Sequence, residues 1–298
     1  MKLWRCHFLA ILCCACSHYE EAYESLMPPD DESDNGTPAV RILAFGNSFA
    51  IDAMESGLYD IAQASGIRLV LGNACQGGFS LQNHWNAFVT NYSGMEYRKC
   101  VNRHYSVYKG CNLKAILANE KWDIITFQQV SYQAGFYGTY EPYLTNLINY
   151  VKDNARNPNA KYGFYMVWAY AQNASHEKYY LYNNDQMTMY NCIAAATNKA
   201  IEAHPELDYL IPTGTAIQNA RTTSLGNDLT RDGIHLSEDI GRSIAAYSWL
   251  ATLFGTETMM KNTFVPYNLD EKTIQLIKNA VLSAIENPYS ITPQPGSN

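Results

Sequence analysis

The chain has 298 residues, of which 47% are hydrophobic and 16% charged, and its formal net charge is −7. This length is enough for one large domain with a substantial core. The acidic balance gives no support to a nucleic acid or an anionic membrane surface as the partner.

The first sixteen residues predict an export signal. Lys2 and Arg5 give a positive start, an apolar run over 8–12 follows, and small residues and cysteines end the segment at Cys16. The run is too short to cross a bilayer as a retained helix. Cys16 follows Ala15, as the acylated cysteine of bacterial lipoproteins often does, and the alternative is an ordinary cleaved signal. We expect an exported protein, periplasmic or at the cell surface, with a membrane contact only through a lipid at Cys16.

Residues 17–38 predict a disordered acidic tether. The segment holds seven acidic residues and no Lys or Arg, so it cannot bury enough apolar surface to fold. Without residues 1–38, the remainder has 19 basic and 21 acidic residues, a net charge of −2. We expect one domain over 39–288 and a flexible tail over 289–298.

Strand-like and helix-like segments alternate through that domain. Apolar runs predict five strands, and periodic apolar stripes between turn signals predict the helices. The strands are 40–45, 67–71, 122–127, 162–168 and 207–211; the main helices begin near Ile51, Pro142, Asp185, Ser237 and Asp270. This order predicts an α/β fold, a three-layer α/β/α sandwich around a mainly parallel sheet of about five strands. Residues 86–114, rich in Tyr and Asn, interrupt the pattern, and we expect an insertion near the site that forms part of a substrate wall.

The cysteines of the domain do not predict a metal site. Cys75, Cys100, Cys111 and Cys192 lack the spacing of metal ligands, and the seven histidines are scattered. In an exported protein a Cys100–Cys111 disulfide is one alternative, and free buried thiols are the other. We predict no metal and no cofactor.

Two short strings carry the chemistry of the sequence. Gly-Asn-Ser-Phe over 46–49 directly follows the first strand, so Ser48 lies just past its carboxyl end. Asp-Gly-Ile-His over 232–235 places a carboxylate and an imidazole three residues apart. A serine needs a base to become a nucleophile, and the base needs a third group to hold its tautomer. The pattern predicts a triad of Ser48, His235 and Asp232; the alternatives are an N-cap serine and a capping histidine.

At these two strings the chain resembles the SGNH or GDSL-type hydrolases, a superfamily of esterases and acylhydrolases. The resemblance extends from about residue 39 to 255. It implies that Ser48 attacks an acyl carbonyl, that His235 is the base and that Asp232 orients it. Asn47 stands where most members have Asp.

The resemblance also implies an oxyanion hole made from three blocks of sequence. The Ser48 amide is the first donor, and Gly78, in the Gly-Gly-Phe-Ser string over 77–80, is the second; the alternative for Gly78 is a turn that needs a positive φ. Most members then supply an Asn side chain, but this chain has Phe-Gln-Gln-Val-Ser over 127–131. We expect Gln129 to replace that Asn, with Gln128 as the alternate and a structural role for both amides as the rival interpretation.

The expected function is a serine esterase that hydrolyses carboxylic esters, O-acetyl esters on carbohydrates above all. Trp85, Tyr132 and Tyr170 are candidates for stacking on sugar rings, although aromatic side chains are more often core residues. Two alternatives stay open. One is a lipid or thioester acylhydrolase, and the other is a tethered, non-catalytic glycan-binding protein on a degenerate hydrolase fold.

Overall fold

A seven-stranded sheet forms the centre of the molecule. The computed structural model describes residues 38–55, 57–227 and 229–294. The strands are β1 Val40–Gly46, β2 Leu69–Cys75, β3 Met95–Val101, β4 His104–Cys111, β5 Ile124–Phe127, β6 Lys161–Tyr165 and β7 Tyr209–Ile211. Their order across the sheet is β4-β3-β2-β1-β5-β6-β7. Strands β2, β1, β5, β6 and β7 pair in parallel, whereas β3 is antiparallel to both β2 and β4.

The predicted α/β class and the mainly parallel sheet are confirmed. The five predicted strands are the five parallel ones, with ends that differ by a few residues. The two further strands lie in the segment expected to be an insertion, where β3 and β4 form a hairpin that extends the sheet. Every residue of β4 except its last is at least partly exposed. An edge strand of this kind lacks the apolar run that makes a buried strand visible in a sequence.

Ten α-helices occur within the described residues, and they cover both faces of the sheet. They are α1 Ser48–Met54, α2 Leu58–Ala64, α3 Leu81–Val89, α4 Leu113–Asn119, α5 Tyr143–Asn154, α6 Gln186–Ala203, α7 Thr213–Ala220, α8 Ile240–Phe254, α9 Thr256–Lys261 and α10 Glu271–Glu286. Helix α8 packs against α1, α2, α7 and α10, whereas α3, α4 and α5 pack together. Right-handed crossovers explain the two groups, because β1 to β2 and β5 to β6 step in opposite directions across the sheet.

The ends of the predicted helices agree with local capping chemistry. Asp185 and Asp270 accept from the amides of Thr188 and Thr273, each three residues on, as N-caps do. The prediction that Ser237 caps α8 differs from the structure, where the cap is Asp239, two residues later. The Ser237 hydroxyl still accepts from the Gly241 amide at 2.9 Å, so it does serve the first turn.

The four cysteines of the domain are free thiols. Cys100 pairs with Tyr105 near the closed end of the β3–β4 hairpin, while Cys111 pairs with Met95 at its open end. Six residues of extended chain separate Tyr105 from Cys111, a span of about 20 Å. The hairpin register therefore rules out the Cys100–Cys111 disulfide.

The segments predicted at the two ends of the chain are described in part. The predicted signal (1–16) and residues 17–37 of the predicted tether lie outside the described residues, as do 295–298. Residues 289–294 do not behave as a flexible tail, since the amides of Thr292 and Gln294 donate to Asn219 and Thr222. Among the described residues, no helix combines the length and the apolarity that a membrane crossing requires.

The sheet register brings together the loops that follow β1, β2 and β5. Gly46 at the end of β1 lies opposite Cys75 at the end of β2, and Phe45 lies opposite Phe127 at the end of β5. Three parallel strands thus end at one level. Loops at the carboxyl ends of such strands form the usual crevice for ligands in open α/β sheets.

Candidate active site

Folding brings Ser48, His235 and Asp232 into one hydrogen-bonded chain. The Ser48 Oγ lies 2.9 Å from Nε2 of His235, although 187 residues separate the two. On the other side of the ring, Nδ1 lies 2.6 Å from Oδ2 of Asp232. A carboxylate can only accept at Nδ1, so the neutral ring carries its proton there and turns a lone pair on Nε2 toward the serine hydroxyl. This is the arrangement of a nucleophile, its base and the group that orients the base.

Asp232 remains ionised because its loop supplies donors. Its Oδ1 accepts from the amides of Ile234 at 2.9 Å and His235 at 2.7 Å, while Oδ2 faces the imidazole. Partial burial opposes ionisation, but these hydrogen bonds outweigh it and lower the pKa of Asp232 below its ordinary value. The carboxylate therefore stabilises a positive charge that develops on the ring.

The Asp-Gly-Ile-His loop is fixed from the sheet side. The indole N–H of Trp168 donates to the Ile234 carbonyl at 2.7 Å, and the Ala171 amide donates to that of Gly233 at 2.8 Å. The Phe49 ring stacks on Trp168 at a centroid distance of 4.0 Å and meets the His235 ring edge-on at 5.7 Å. The imidazole is thus held on an aromatic wall next to the nucleophile.

Ser48 begins helix α1, and Asn47 explains how. Asn47 caps the helix, because its Oδ1 accepts from the Phe49 amide at 3.0 Å. The same oxygen also accepts from Nε2 of Gln128 at 2.8 Å. Its Nδ2 donates to the Phe79 carbonyl at 3.0 Å, which ties the loops after β1 and β2 together. An aspartate could accept the first two hydrogen bonds but could not donate the third. The Asn at this position therefore suits the local structure of this chain.

Gly46 is required by close packing beneath the nucleophile. A Cβ on Gly46 would lie 2.4 Å from that of Ala50 and 2.8 Å from Oδ1 of Asn73. We expect Gly46→Ala to lower the free energy of unfolding by about 2 kcal/mol, the usual cost of overpacking a tight site. Urea denaturation measures the change, and Gly77→Ala is the matched control because nothing lies within 4 Å of a Cβ there. Equal stability of the two variants would contradict the packing argument.

The predicted oxyanion donor Gly78 lies in a turn beside Ser48. The Phe79 amide donates to the Gln76 carbonyl, and Gly78 has a φ of +70°, in the left-handed region that favours glycine. The turn explanation for this glycine therefore holds. The exposed Gly78 amide has no acceptor among the residues that the structure describes, and neither has the amide of Ser48. A role of Gly78 in the turn is compatible with a role as oxyanion donor, because the turn leaves its N–H group open to a ligand.

Gln129, the expected third donor, does not supply an oxyanion donor in this geometry. Gln129 is buried, its Nε2 donates to the carbonyl and hydroxyl of Thr139, and its Oε1 accepts from the amides of Leu81 and Val130. No amide proton of Gln129 is left for an oxyanion, and Gln128 donates to Asn47. Gln129 therefore acts as a structural amide here, which was the rival interpretation, and the hydrogen bond to Asn47 uses one of the two N–H donors of the buried Gln128.

Replacing Gln129 tests this correction. Gln129→Leu leaves two buried amides without an acceptor, so we expect it to lower the free energy of unfolding by about 2 kcal/mol or more. The exposed Gln82→Leu is the control, and urea denaturation is the measurement. The folded Gln129→Leu protein should keep kcat within a few fold of the wild type. If Gln129 were an oxyanion donor, the same change would lower kcat by about 10² to 10³-fold and leave the stability unchanged.

Only one of the three aromatic candidates is placed where it could meet a sugar. Tyr170 is fully buried and its hydroxyl lies 2.8 Å from that of Ser131, so its face is not available. Trp85, on α3, meets Tyr150 of α5 edge-on and does not line the pocket at Ser48. Tyr132 is half-exposed and its ring lies 6.1 Å from that of His176, which follows Ala174, a residue packed against Gly233 of the Asp-Gly-Ile-His loop.

A pocket of about 390 Å³ opens at Ser48 on the side of the β3–β4 hairpin. Gly94, Glu96 and Lys109 of the hairpin segment line it, together with residues from α1 and from the end of β2. The expectation that residues 86–114 reach the site thus matches the geometry. Sequence reasoning missed Glu96 and Lys109 because the hairpin itself was not visible. Among the described residues, no group of three or more Cys, His, Asp or Glu could hold a metal ion.

Comparison with known proteins identifies the family of the chain but does not identify an activity. Residues 41–284 match the model described as "Domain of unknown function (DUF4886)". A DUF4886 family protein from Bacteroides uniformis is 35% identical, with a TM-score of 0.82 over 86% of this chain and 98% of that one. A candidate SGNH hydrolase from Slackia heliotrinireducens is 22% identical, with a TM-score of 0.49 over 72% of this chain and 100% of that one. A family 3 carbohydrate esterase from Clostridium thermocellum is 15% identical, with a TM-score of 0.45 over 72% of this chain and 95% of that one.

No functionally curated protein matches the sequence. The family model, by contrast, covers most of the chain and nearly all of the described residues, and the relative of known structure superimposes over almost its whole length. The chain therefore belongs to the DUF4886 family.

Proposed function

We propose that this protein is a serine hydrolase that cleaves carboxylic esters. The observation that carries the proposal is the continuous hydrogen-bonded chain from Ser48 through His235 to Asp232, with distances of 2.9 and 2.6 Å. A histidine with only a structural role would have little reason to present a lone pair to a serine at the carboxyl end of the central strand. The SGNH-type resemblance of the two strings supports the same assignment.

The mechanism follows from the direction of these hydrogen bonds. Nε2 of His235 takes the hydroxyl proton while Oγ of Ser48 forms a bond to the ester carbonyl carbon. The tetrahedral intermediate collapses, the bond to the alcohol oxygen breaks, and His235 gives its proton to that oxygen. A water molecule, deprotonated by His235, then attacks the acyl-serine, which releases the acid and restores Ser48. Asp232 stabilises the imidazolium in both halves.

The oxyanion is bound by backbone amides in this proposal. The N–H groups of Ser48 and Gly78 are the donors in this proposal, because neither has a protein acceptor among the described residues and the hydrogen bond from Asn47 Nδ2 to the Phe79 carbonyl holds their two loops together. Backbone donors at fixed positions act on the charge that develops in the transition state.

The pocket favours a short acyl group over a fatty one. His235 protonates the departing alcohol, so the alcohol lies on the His235 side and the acyl group points elsewhere. The pocket at Ser48 includes neither His235 nor Asp232 in its lining, and its wall carries the charged side chains of Glu96 and Lys109. A long alkyl chain against these groups would force their desolvation. We therefore propose acetyl or a similarly small acyl group, with a carbohydrate as the alcohol, on the side of the half-exposed Tyr132 and His176 rings.

Chain length of the acyl group tests the proposal directly. Hydrolysis of p-nitrophenyl acetate, butyrate and octanoate is measured with residues 38–298 and with its Ser48→Ala variant. We expect Ser48-dependent hydrolysis that is fastest for acetate. Equal rates for the two proteins would leave no role for the serine and would favour the binding protein. A preference for octanoate would favour the lipid acylhydrolase. Release of acetate from acetylated polysaccharides then tests the carbohydrate part.

A further inference from the structure

Asp52 is a buried carboxylate on the helix that carries the nucleophile. It lies four residues after Ser48 on α1, and its side chain is fully buried. Its Oδ1 accepts from Nη1 of Arg231 and from Nε of Arg242, both at 2.9 Å, and its Oδ2 accepts from the Leu236 amide at 2.9 Å. Two guanidinium groups and an amide thus compensate the buried charge.

The partners of Asp52 are the two ends of the loop that carries the other triad members. Arg231 and Leu236 flank the Asp-Gly-Ile-His string on either side. They are also joined to each other, since Nη1 of Arg231 donates to the Leu236 carbonyl at 2.6 Å, and the Arg231 amide donates to the His235 carbonyl at 2.9 Å. One carboxylate therefore closes the base of the loop and attaches it to α1.

This attachment fixes the distance between Ser48 and His235, which must be short for the proposed proton transfer. Ser48 and Asp52 are on one helical turn, so they move together, while His235 lies between Arg231 and Leu236 and moves with them. Trp168 and Ala171 attach the loop to the segment that follows β6, but apart from the Ser48 to His235 hydrogen bond itself, Asp52 is the side chain among the described residues that attaches the loop to the helix of the nucleophile. A misplacement of about 1 Å at a reacting pair can cost about 10²-fold in rate.

We propose that Asp52 is a positioning residue that holds the base loop in register with the nucleophile. The inference rests on the proposed hydrolase function for its effect on rate. Its geometric part, the position of His235 relative to Ser48, does not depend on that function.

The chain offers a matched control for the loss of a buried carboxylate. Glu120 accepts from Nζ of the buried Lys99 at 2.6 Å and from Nε of Arg41 at 3.2 Å, so it too compensates two cations. It precedes β5, at the amino-terminal ends of the parallel strands, whereas Ser48 follows the carboxyl end of β1. Removing either carboxylate should destabilise the protein, but only Asp52 should affect the site.

The test compares Asp52→Asn with Glu120→Gln. The amide of an asparagine cannot accept from all three donors at position 52, and its NH₂ group would oppose one of them. For p-nitrophenyl acetate we expect Asp52→Asn to lower kcat about 10- to 100-fold with KM changed less than about 3-fold, and Glu120→Gln to leave kcat unchanged. A crystal structure of Asp52→Asn should show the Ser48 to His235 hydrogen bond broken or the loop in several positions.

The possible results distinguish a failure of this inference from a failure of the proposed function. A folded Asp52→Asn variant with normal kcat and an unchanged hydrogen bond would overturn the inference, as would an equal loss of kcat in Glu120→Gln. A wild type without Ser48-dependent hydrolysis would overturn the function, while the crystal structure would still decide the role of Asp52. If Asp52→Asn does not fold, Arg231→Gln, a partly exposed position, takes its place with the same expected shift in kcat and the same structural readout.

Discussion

Replacing His235 with glutamine is expected to lower kcat/KM for p-nitrophenyl acetate by about 10⁴-fold or more. Nε2 of His235 is the group within hydrogen-bond reach of the Ser48 hydroxyl, at 2.9 Å. Glutamine can occupy the space, but it cannot accept a proton at neutral pH and later return it to the leaving alcohol. The loss should fall on kcat, with KM little changed, because the imidazole acts on the reacting proton and not on substrate binding.

The control for this variant is a histidine outside the site. His104 is exposed at the start of β4, so His104→Gln should keep the rate and the stability of the wild type. Far-UV circular dichroism and urea denaturation check that His235→Gln is folded. A folded His235→Gln protein with more than a tenth of the wild-type rate would mean that another group activates the serine.

Asp232→Asn is expected to lower kcat/KM by about 10²- to 10⁴-fold without unfolding the protein. The Asn side chain can still accept from the amides of Ile234 and His235, so the loop should keep its shape. Its amide group would donate to Nδ1 and not accept from it, which turns the ring to the tautomer with its proton on Nε2, facing Ser48. Steady-state kinetics give the loss, and an NMR spectrum of the imidazole nitrogens identifies the tautomer. An unchanged tautomer with a normal rate would contradict the role of Asp232.

The lowered pKa of Asp232 sets the pH range in which its carboxylate is ionised and can orient the His235 ring. A carboxyl whose pKa is lowered by folding contributes stability above its ordinary value, 3.8, and that contribution disappears as the pH falls through the lowered value. Asp232 therefore stays ionised at mildly acidic and neutral pH. Relative to Asp232→Asn, the wild type should lose stability only below about pH 4, and a difference that disappears near neutral pH would contradict the lowered pKa.

Much of the fold was predictable because the parallel strands are buried on both faces. Buried strands such as β1 and β5 are continuous apolar runs, helices such as α5 and α10 have clear apolar stripes, and α10 also has the Asp270 cap. The β3–β4 hairpin was not predictable on that basis. Its buried residues are few and its outer strand is mostly exposed, so pairing to β2, which the sequence does not show, decides its structure.

The candidate site was predictable where residues follow a strand or share a short loop. Ser48, Asp232 and His235 lie in such strings. Gln129 was misassigned because an amide after a strand can turn either to the ligand or to the neighbouring loop, and only the packed structure shows Thr139 and Leu81 as its partners. Asp52 was missed for a related reason. On a short helix an aspartate suggests an exposed face, and its two arginine partners lie about 180 and 190 residues away.

The most direct measurement of the central claim is covalent trapping of the serine. A fluorophosphonate ester reacts with a serine hydroxyl only where a base activates it. After incubation at neutral pH, intact-protein mass spectrometry and peptide mapping should show one adduct per chain, on Ser48, and none on the His235→Gln variant. An unmodified Ser48 in folded wild-type protein, or equal labelling of the His235→Gln variant, would contradict the triad.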